Sequence, residues 1–185
     1  MNNLQLNDRA MEILASIKGK KLKSFEGDMI SMGNYFMNPI KLNMPRFSVE
    51  LGLSYVPLEW TSSFKTNEVE DATVFYCEMV DPSKKAFGNA VCLFPVEETI
   101  SSVTVIRDYI GTNMGDSFVF DNGILLSAGN ESLSFFRFSV WDCAMYLRNK
   151  DDAMSFYSAK RARDDFADII DKKMKINLKR EFMIL

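Results

Sequence analysis

The chain has 185 residues, a net charge of −3 and 47% apolar side chains, which is typical of a globular protein with a sizeable core. It contains no histidine, which excludes Ser-His-Asp and Cys-His nucleophiles, HExxH zinc sites and imidazole acid–base catalysis. The cysteines at positions 77, 92 and 143 form no CxxC pair, so we expect reduced, buried thiols rather than a zinc or redox site.

The N-terminal residues and the longest apolar run indicate where in the cell the protein is expected. Residues 1–14 lack the basic patch followed by an apolar run that a signal peptide needs. The longest apolar stretch, residues 90–96, is far short of the roughly 20 residues that span a bilayer. We therefore expect a cytoplasmic protein without a membrane partner. Because no repeat or linker divides the chain, we expect a single domain over residues 1–185.

The first predicted element is an N-terminal helix that begins after Asn7, a good N-cap residue. Gly19 stands where a helix commonly ends. The apolar residues between them recur at helical spacing and predict one buried stripe. The stripe consists of Leu6, Ala10, Ile13, Leu14 and Ile17.

Residues 22–147 differ in character, with Gly and Pro separating short runs rich in β-branched and aromatic residues. Such runs predict strands. The predicted strands cover residues 47–53, 73–80, 87–94 and 100–110. The polar, aperiodic stretch 60–68 predicts a loop.

Residues 117–138 predict a three-stranded meander with two tight turns. Asn122-Gly123 is the strongest short signal for a type I′ hairpin turn, and Gly129-Asn130 fits a type II′ turn. The two turns agree on one register. That register pairs Val119 with Leu126, Phe120 with Leu125, Leu126 with Leu133 and Ile124 with Phe135.

Both faces of this meander are apolar in the predicted register. Val119, Leu126 and Leu133 lie on one face, whereas most of the phenylalanines lie on the other. An antiparallel sheet with one wet face would alternate apolar and polar residues. Helices, other strands or a second subunit must therefore cover both faces, and a homodimer is one such solution.

A long helix over residues 154–174 is the last predicted element. Its apolar positions, among them Ala162 and Phe166, recur at helical spacing and predict that it packs on the sheet. The sequence as a whole therefore predicts the α+β class, with a mainly antiparallel β-sheet, an N-terminal helix and a long C-terminal helix packed on it.

The sequence lacks the common motifs for nucleotide binding, calcium binding and nucleophilic catalysis. No phosphate loop, GxGxxG, EF-hand or GxSxG pattern is present, so we expect no cofactor, no metal and no catalytic residue. The adjacent acids Glu97 and Glu98 would point to opposite faces of an extended chain and could not share a substrate.

Charge is distributed unevenly along the chain. Residues 59–142 carry five basic and thirteen acidic side chains, a net −8, whereas the flanking segments are mildly basic. An acidic sheet region disfavours nucleic acid and favours a basic protein partner, unless it serves only solubility. As partner-binding residues we select Glu68, Glu70, Asp71, Asp81 and Trp60.

Two classes of function follow from these observations. The first is a small intracellular, non-catalytic binding or regulatory protein of the immunity type, which presents its acidic sheet surface to a basic protein. The alternative is a small-ligand-binding domain or histidine-free enzyme with an apolar pocket against the sheet. Aromatic residues and methionines, such as the cluster in residues 28–45, would line that pocket.

Overall fold

The computed structural model describes residues 2–29, 35–57, 71–86, 88, 90–137, 145–148, 154–155, 157–169 and 173–185. This part of the chain forms a mostly antiparallel ten-stranded sheet with two helices. The strands are β1 Asn2–Leu4, β2 Lys21–Met29, β3 Tyr35–Asn43, β4 Ser48–Pro57, β5 Asp71–Val80, β6 Val91–Thr112, β7 Ser117–Ala128, β8 Glu131–Arg137, β9 Met145–Arg148 and β10 Ile176–Ile184. The helices are α1 Asp8–Ser16 and α2 Ala159–Ile169.

The long strand β6 organises the sheet. Its first part pairs with β2, and its second part pairs with β7 on one side and β10 on the other. The pairings β2–β3–β9–β8–β7–β6–β2 form a closed circuit, from which β4 and β5 branch at β3. Within the described residues, β1, β5 and β10 each pair with one strand.

The predicted strands are found, with one difference. The segments 47–53 and 73–80 lie in β4 and β5. The segments 87–94 and 100–110 were predicted as two strands, whereas residues 91–112 form the single strand β6. The predicted loop 60–68 lies outside the described residues.

The N-terminal helix is confirmed. Asn7 is its N-cap, and the side-chain Oδ1 accepts a hydrogen bond of 2.8 Å from the Ala10 backbone N–H. All five residues of the predicted stripe are buried against residues of β2 to β8, in the largest core cluster. This helix therefore fills the space that the curved sheet encloses.

The second turn of the meander is confirmed and the first is wrong. Gly129 has a φ of 60°, and the register pairs Leu126 with Leu133 and Ile124 with Phe135. In contrast, β7 runs without a turn through Asn122 and Gly123, neither of which has a positive φ. Residues 117–121 pair instead with β6 on one side, and residues 118–120 pair with β1 on the other, so long-range pairing replaces the local hairpin.

Asn122 is instead the extra residue of a β-bulge. Ile106 of β6 pairs with Gly123 and Arg107 pairs with Asp121, which leaves Asn122 without a partner in the register. A bulge of one residue exchanges the two faces of a strand. For that reason Phe120 faces α2 whereas Ile124 faces α1.

Gly123 is required because the ring of Phe136 lies against its α-carbon. A Cβ at this position would lie 2.9 Å from two ring carbons of Phe136. We expect Gly123→Ala to lower the free energy of unfolding by about 1–3 kcal/mol, measured by urea denaturation. Gly111→Ala is the matched control, because a Cβ there meets nothing within 4 Å. Equal effects of the two substitutions would contradict this role of Gly123.

Both faces of the β7 region are covered by this chain, as the apolar pattern predicted. Leu126 packs in the core cluster with α1, and Leu125 packs with Tyr157 and Ala162. On the α2 side, the Phe166 ring lies with its centroid 5.1 and 5.3 Å from two rings of β7. The apolar residues on both faces of β7 therefore do not require a second subunit to cover them.

The prediction of a long C-terminal helix is wrong. The helix α2 has 11 residues, and the segment 176–184 forms the edge strand β10. Ala162 and Phe166 are buried as predicted, so the helical periodicity identified the correct face but not the correct length. No helix in the described ranges combines the length and the apolar character needed to cross a bilayer.

Candidate functional site

A buried cluster of ion pairs surrounds the bulge of β7. Asp121 is fully buried and accepts two hydrogen bonds from the Arg107 guanidinium, at 2.7 and 3.0 Å. Its Oδ2 also accepts the Leu6 backbone N–H at 2.8 Å, which joins the segment before α1 to the sheet. Burial on its own would lower the pKa of Arg107, but the Asp121 carboxylate raises it above its usual value.

A second carboxylate, Asp108 on β6, is also fully buried. Nε and Nη2 of Arg180 donate to its two oxygens at 2.7 and 2.6 Å, and the Asn122 amide donates to Oδ2. Nη1 of Arg180 reaches the Tyr157 carbonyl at 2.7 Å. Burial, with Asp165 nearby, raises the pKa of the Tyr157 phenol, so the ring stays neutral.

Arg137 at the end of β8 is the third arginine of the cluster and is fully buried. Its Nη1 donates to the Thr73 carbonyl of β5 at 2.7 Å, and its Nη2 donates to the Asp121 carbonyl. The guanidinium lies 5.5 Å from the ring centroid of Phe75 and 5.6 Å from that of Phe120, within cation–π range. These contacts join β8 to β5 across the core.

These buried charges stabilise the fold and do not form an accessible reactive site. Each carboxylate is held by an arginine, and neither is exposed to solvent. Within the described residues, no group of three or more Cys, Asp or Glu side chains could hold a metal ion. Burial, assisted by Glu78, raises the pKa of the Cys77 thiol to about 12, which keeps it protonated at neutral pH.

The exposed surface beside β5 has a different chemistry. A groove of about 380 Å³ runs between the first turn of α1 and residues 76–79 of β5. Asn7 and Arg9 line it on the helix side, and Glu78 and Met79 line it on the strand side. Both strand residues are exposed, and Met79 retains 47% of its accessible surface.

The segment after β5 is joined to the sheet by hydrogen bonds and ion pairs. Lys41, which is only 4% exposed, donates to the Pro82 and Lys84 carbonyls and forms an ion pair of 3.1 Å with Glu26. Lys84 in turn forms an ion pair of 2.6 Å with Glu50. The end of β5 is therefore fixed by buried polar contacts.

Asp81 closes the turn that follows β5. Its Oδ1 accepts hydrogen bonds from the Ser83 hydroxyl at 2.6 Å and the Ser83 backbone N–H at 2.7 Å. These bonds hold the pKa of Asp81 below its usual value, so the exposed carboxylate stays ionised.

Exposed carboxylates are present in α1, in β5 and in the turn after β5. We define the acidic edge as Asp8 and Glu12 of α1, Glu78 of β5, and Asp81, all of which are exposed. The exposed bases in the same elements, Arg9 and Lys85, are fewer, and Lys84 is already paired with Glu50. Exposed acids therefore outnumber exposed bases in these segments.

The structure places only two of the five predicted partner-binding residues. Asp71 and Asp81 are exposed at opposite ends of β5, so they do not form one site. Trp60, Glu68 and Glu70 lie outside the described residues. The prediction missed Asp8, Glu12 and Glu78, because it counted charge along the sequence and could not know that α1 packs beside β5.

The alternative prediction of an apolar pocket against the sheet can be compared with a second groove. This groove, of about 350 Å³, lies on the α2 side of the sheet. Leu125, Met154 and Phe182 are among the residues that line it. It is open, and none of the described residues that line it is charged. Both tryptophans of the chain lie outside the described residues.

No protein family model matches the chain, and no solved structure matches it. The arguments about function therefore rest on the surface described above.

Proposed function

We propose that this protein acts by binding a basic protein partner through the acidic edge, as a non-catalytic regulatory or immunity-type protein does. The observation that carries this proposal is the contrast between the two sets of ionisable groups. The buried arginines and aspartates are used in holding the sheet together, whereas the carboxylates of the acidic edge are exposed.

The buried cluster does not reduce the acidic surplus of residues 59–142. It removes two acids, Asp108 and Asp121, from the surface, together with two arginines of the same segment, Arg107 and Arg137. The net −8 of this segment therefore stays with its remaining side chains. Such a surplus speeds the encounter with a basic partner and makes the affinity dependent on salt.

A peptide library provides the test. We expect a random dodecamer library selected on the protein to be enriched in Lys and Arg. The dissociation constant of the selected peptides should rise about tenfold or more between about 50 and 300 mM NaCl, measured by isothermal titration calorimetry. The salt dependence follows because exposed charges are screened.

Two double charge-reversal variants of the protein show where the peptides bind. Glu78→Lys with Asp81→Lys should abolish binding, whereas Asp164→Lys with Glu181→Lys changes the charge equally on other elements and should keep most of it. A selection without enrichment in basic residues, or affinities that are indifferent to salt, would show the proposal to be wrong.

A further inference from the structure

Strand β10 lies at an edge of the sheet, and its outer side is accessible. Within the described ranges it pairs only with β6, through nine residues and without a bulge. None of these nine residues is buried, and Phe182 and Ile184 retain 51% and 73% of their accessible surface. The strand contains neither proline nor glycine. A strand edge of this length and apolar character is a place where another strand can pair.

Two hydrogen bonds at the ends of β10 show which of its backbone groups point away from β6. The Asn113 N–H donates to the Lys175 carbonyl at 3.2 Å. At the other end, the Leu185 N–H donates to the Val103 carbonyl at 2.9 Å. Because the N–H and C=O of every second residue in an antiparallel strand point the same way, odd-numbered residues bond to β6 and even-numbered residues point outward. Within the described part of the chain, these outward groups of residues 176–184 form no other backbone hydrogen bond.

The even-numbered side chains of β10 lie on the side of the sheet that α2 covers, with a groove at each end of the strand. Ile176 and Leu178 line a groove of about 500 Å³ together with Arg163 of α2. At the other end, Phe182 and Ile184 line the apolar groove of about 350 Å³ described above. The apolar side chains of β10 therefore continue beyond the part of the strand that α2 contacts.

The sequence of β10 is complementary to itself when two copies run antiparallel about Arg180. Residues equally distant from Arg180 then lie opposite each other, so Lys179 of each copy faces Glu181 of the other. Lys179 is exposed and Glu181 is partly exposed. Opposite charges that face each other across two strands stabilise the pair, whereas like charges destabilise it. A register centred on Lys179 or on Glu181 would place identical charges opposite each other, so the register about Arg180 is favoured.

The two Arg180 side chains at the centre of this register do not oppose it. Each guanidinium donates to both oxygens of Asp108 in its own chain, and the side chain is only 8% exposed. Its charge is therefore compensated before a second copy arrives, and the repulsion between the two arginines is small.

The same register brings the apolar ends of two copies together. Phe182 lies opposite Leu178 of the second copy, and Ile184 lies opposite its Ile176. Directly opposed side chains of antiparallel strands have Cβ atoms about 5 Å apart. Phe182 and Ile184 therefore reach the groove between β10 and α2 of the second copy, and burial of their exposed surface favours association.

We propose that two copies of this chain pair through β10, as antiparallel strands related by a two-fold axis at Arg180. The outward N–H and C=O groups of the even-numbered residues bond across the axis, so the sheet continues into the second copy. The acidic edge shares no residue with β10, and the pairing therefore stands apart from the proposed function. Because one strand and two grooves form a small interface, we expect a dissociation constant on the order of 10–100 µM.

The test is sedimentation equilibrium, with monomers expected at about 5 µM protein and dimers at about 500 µM. Lys179→Glu places carboxylates opposite each other, and Glu181→Lys places ammonium groups opposite each other. Each substitution should therefore raise the dissociation constant of the dimer about tenfold or more.

The two substitutions together provide the matched control. Lys179→Glu with Glu181→Lys in one chain exchanges the charges and keeps them opposite, so the affinity should return to within about threefold. An equimolar mixture of the two single variants should also form dimers, although each alone remains largely monomeric. Since neither single variant retains the ion pair within its own chain, association in the mixture would come from contact between chains.

Hydrogen exchange followed by NMR tests the register on the unaltered protein, independently of how the variants fold. An increase in protein concentration from about 20 to 500 µM should slow exchange of the Leu178, Arg180 and Phe182 amides several-fold, because these point outward. The Lys179 and Glu181 amides bond to β6 and should exchange at an unchanged rate.

Three results would overturn the proposal. The first is a protein that remains monomeric at every concentration. The second is a dimer whose dissociation constant is the same for both single variants as for the unaltered chain. The third is a dimer in which exchange slows on other strands and not at the even-numbered residues of β10.

Discussion

Replacement of Asp108 with alanine should lower the free energy of unfolding by about 3–5 kcal/mol, because it leaves a buried guanidinium without its carboxylate. Both oxygens of Asp108 accept hydrogen bonds from Arg180, whose side chain is only 8% exposed. The substitution also leaves the buried Asn122 amide without its acceptor. Urea denaturation followed by circular dichroism measures the loss.

Two further variants show whether the cost comes from the unpaired charge. Asp108→Leu with Arg180→Met removes both charges and should be less destabilising than Asp108→Ala alone. Glu181→Ala breaks an ion pair with the exposed Lys179. It should lower the free energy of unfolding by less than about 0.5 kcal/mol. If Asp108→Ala is as mild as Glu181→Ala, the buried pair does not stabilise the sheet as described.

Replacement of Phe166 with alanine should also lower the free energy of unfolding by about 3–5 kcal/mol. Phe166 is fully buried, and its ring packs on Phe118 and Phe120 of β7 at centroid distances of 5.1 and 5.3 Å. The substitution opens a cavity between α2 and the sheet, and the loss combines a transfer cost with a cavity cost.

Phe182→Ala is the matched control for Phe166→Ala. Phe182 on β10 retains 51% of its accessible surface, so truncation of its side chain should cost less than about 1 kcal/mol. Hydrogen exchange gives a second measure, since the loss of α2 packing should speed exchange in β7. Equal costs for the two phenylalanines would show that α2 does not cover this face of the sheet.

The sequence predicted the parts of the fold that depend on local signals. The cap at Asn7 and the stripe of α1 are encoded within a dozen residues, and both were found as expected. The turn at Gly129 and the pairing of β7 with β8 are equally local. Helical periodicity also identified the buried face of α2 through Ala162 and Phe166.

Long-range pairing explains the errors. Asn122-Gly123 is a hairpin signal only when the two flanking segments pair with each other, and here β6 pairs with the first of them. The sequence predicted two strands within residues 91–112 because Pro95 and the acids that follow interrupt the run of β-branched and aromatic residues. In the structure β6 continues through these residues. The C-terminal helix is shorter than the predicted 154–174 because α2 begins only after Ser158, whose hydroxyl accepts the Arg161 backbone N–H as an N-cap residue does.

The candidate site was the least predictable feature. The charge count covered Glu78 and Asp81 but not Asp8 and Glu12, because it followed the sequence whereas the contact between α1 and β5 is long-range. Nothing in the sequence pattern shows which strands pair on one side only among the described residues. That property follows only from the completed sheet.

From the ion pair between β6 and β10 we also expect an order in folding. Asp108 and Arg180 are 72 residues apart, so the carboxylate has no counter-ion until residues 176–184 reach the sheet. A charge without its partner favours contact with water over burial, which keeps the surrounding apolar face hydrated. We therefore expect that face to be buried beneath α2 only after β10 has paired with β6. Slow arrival of this last strand would prolong an intermediate with exposed phenylalanines, in which association between chains competes with completion of the fold.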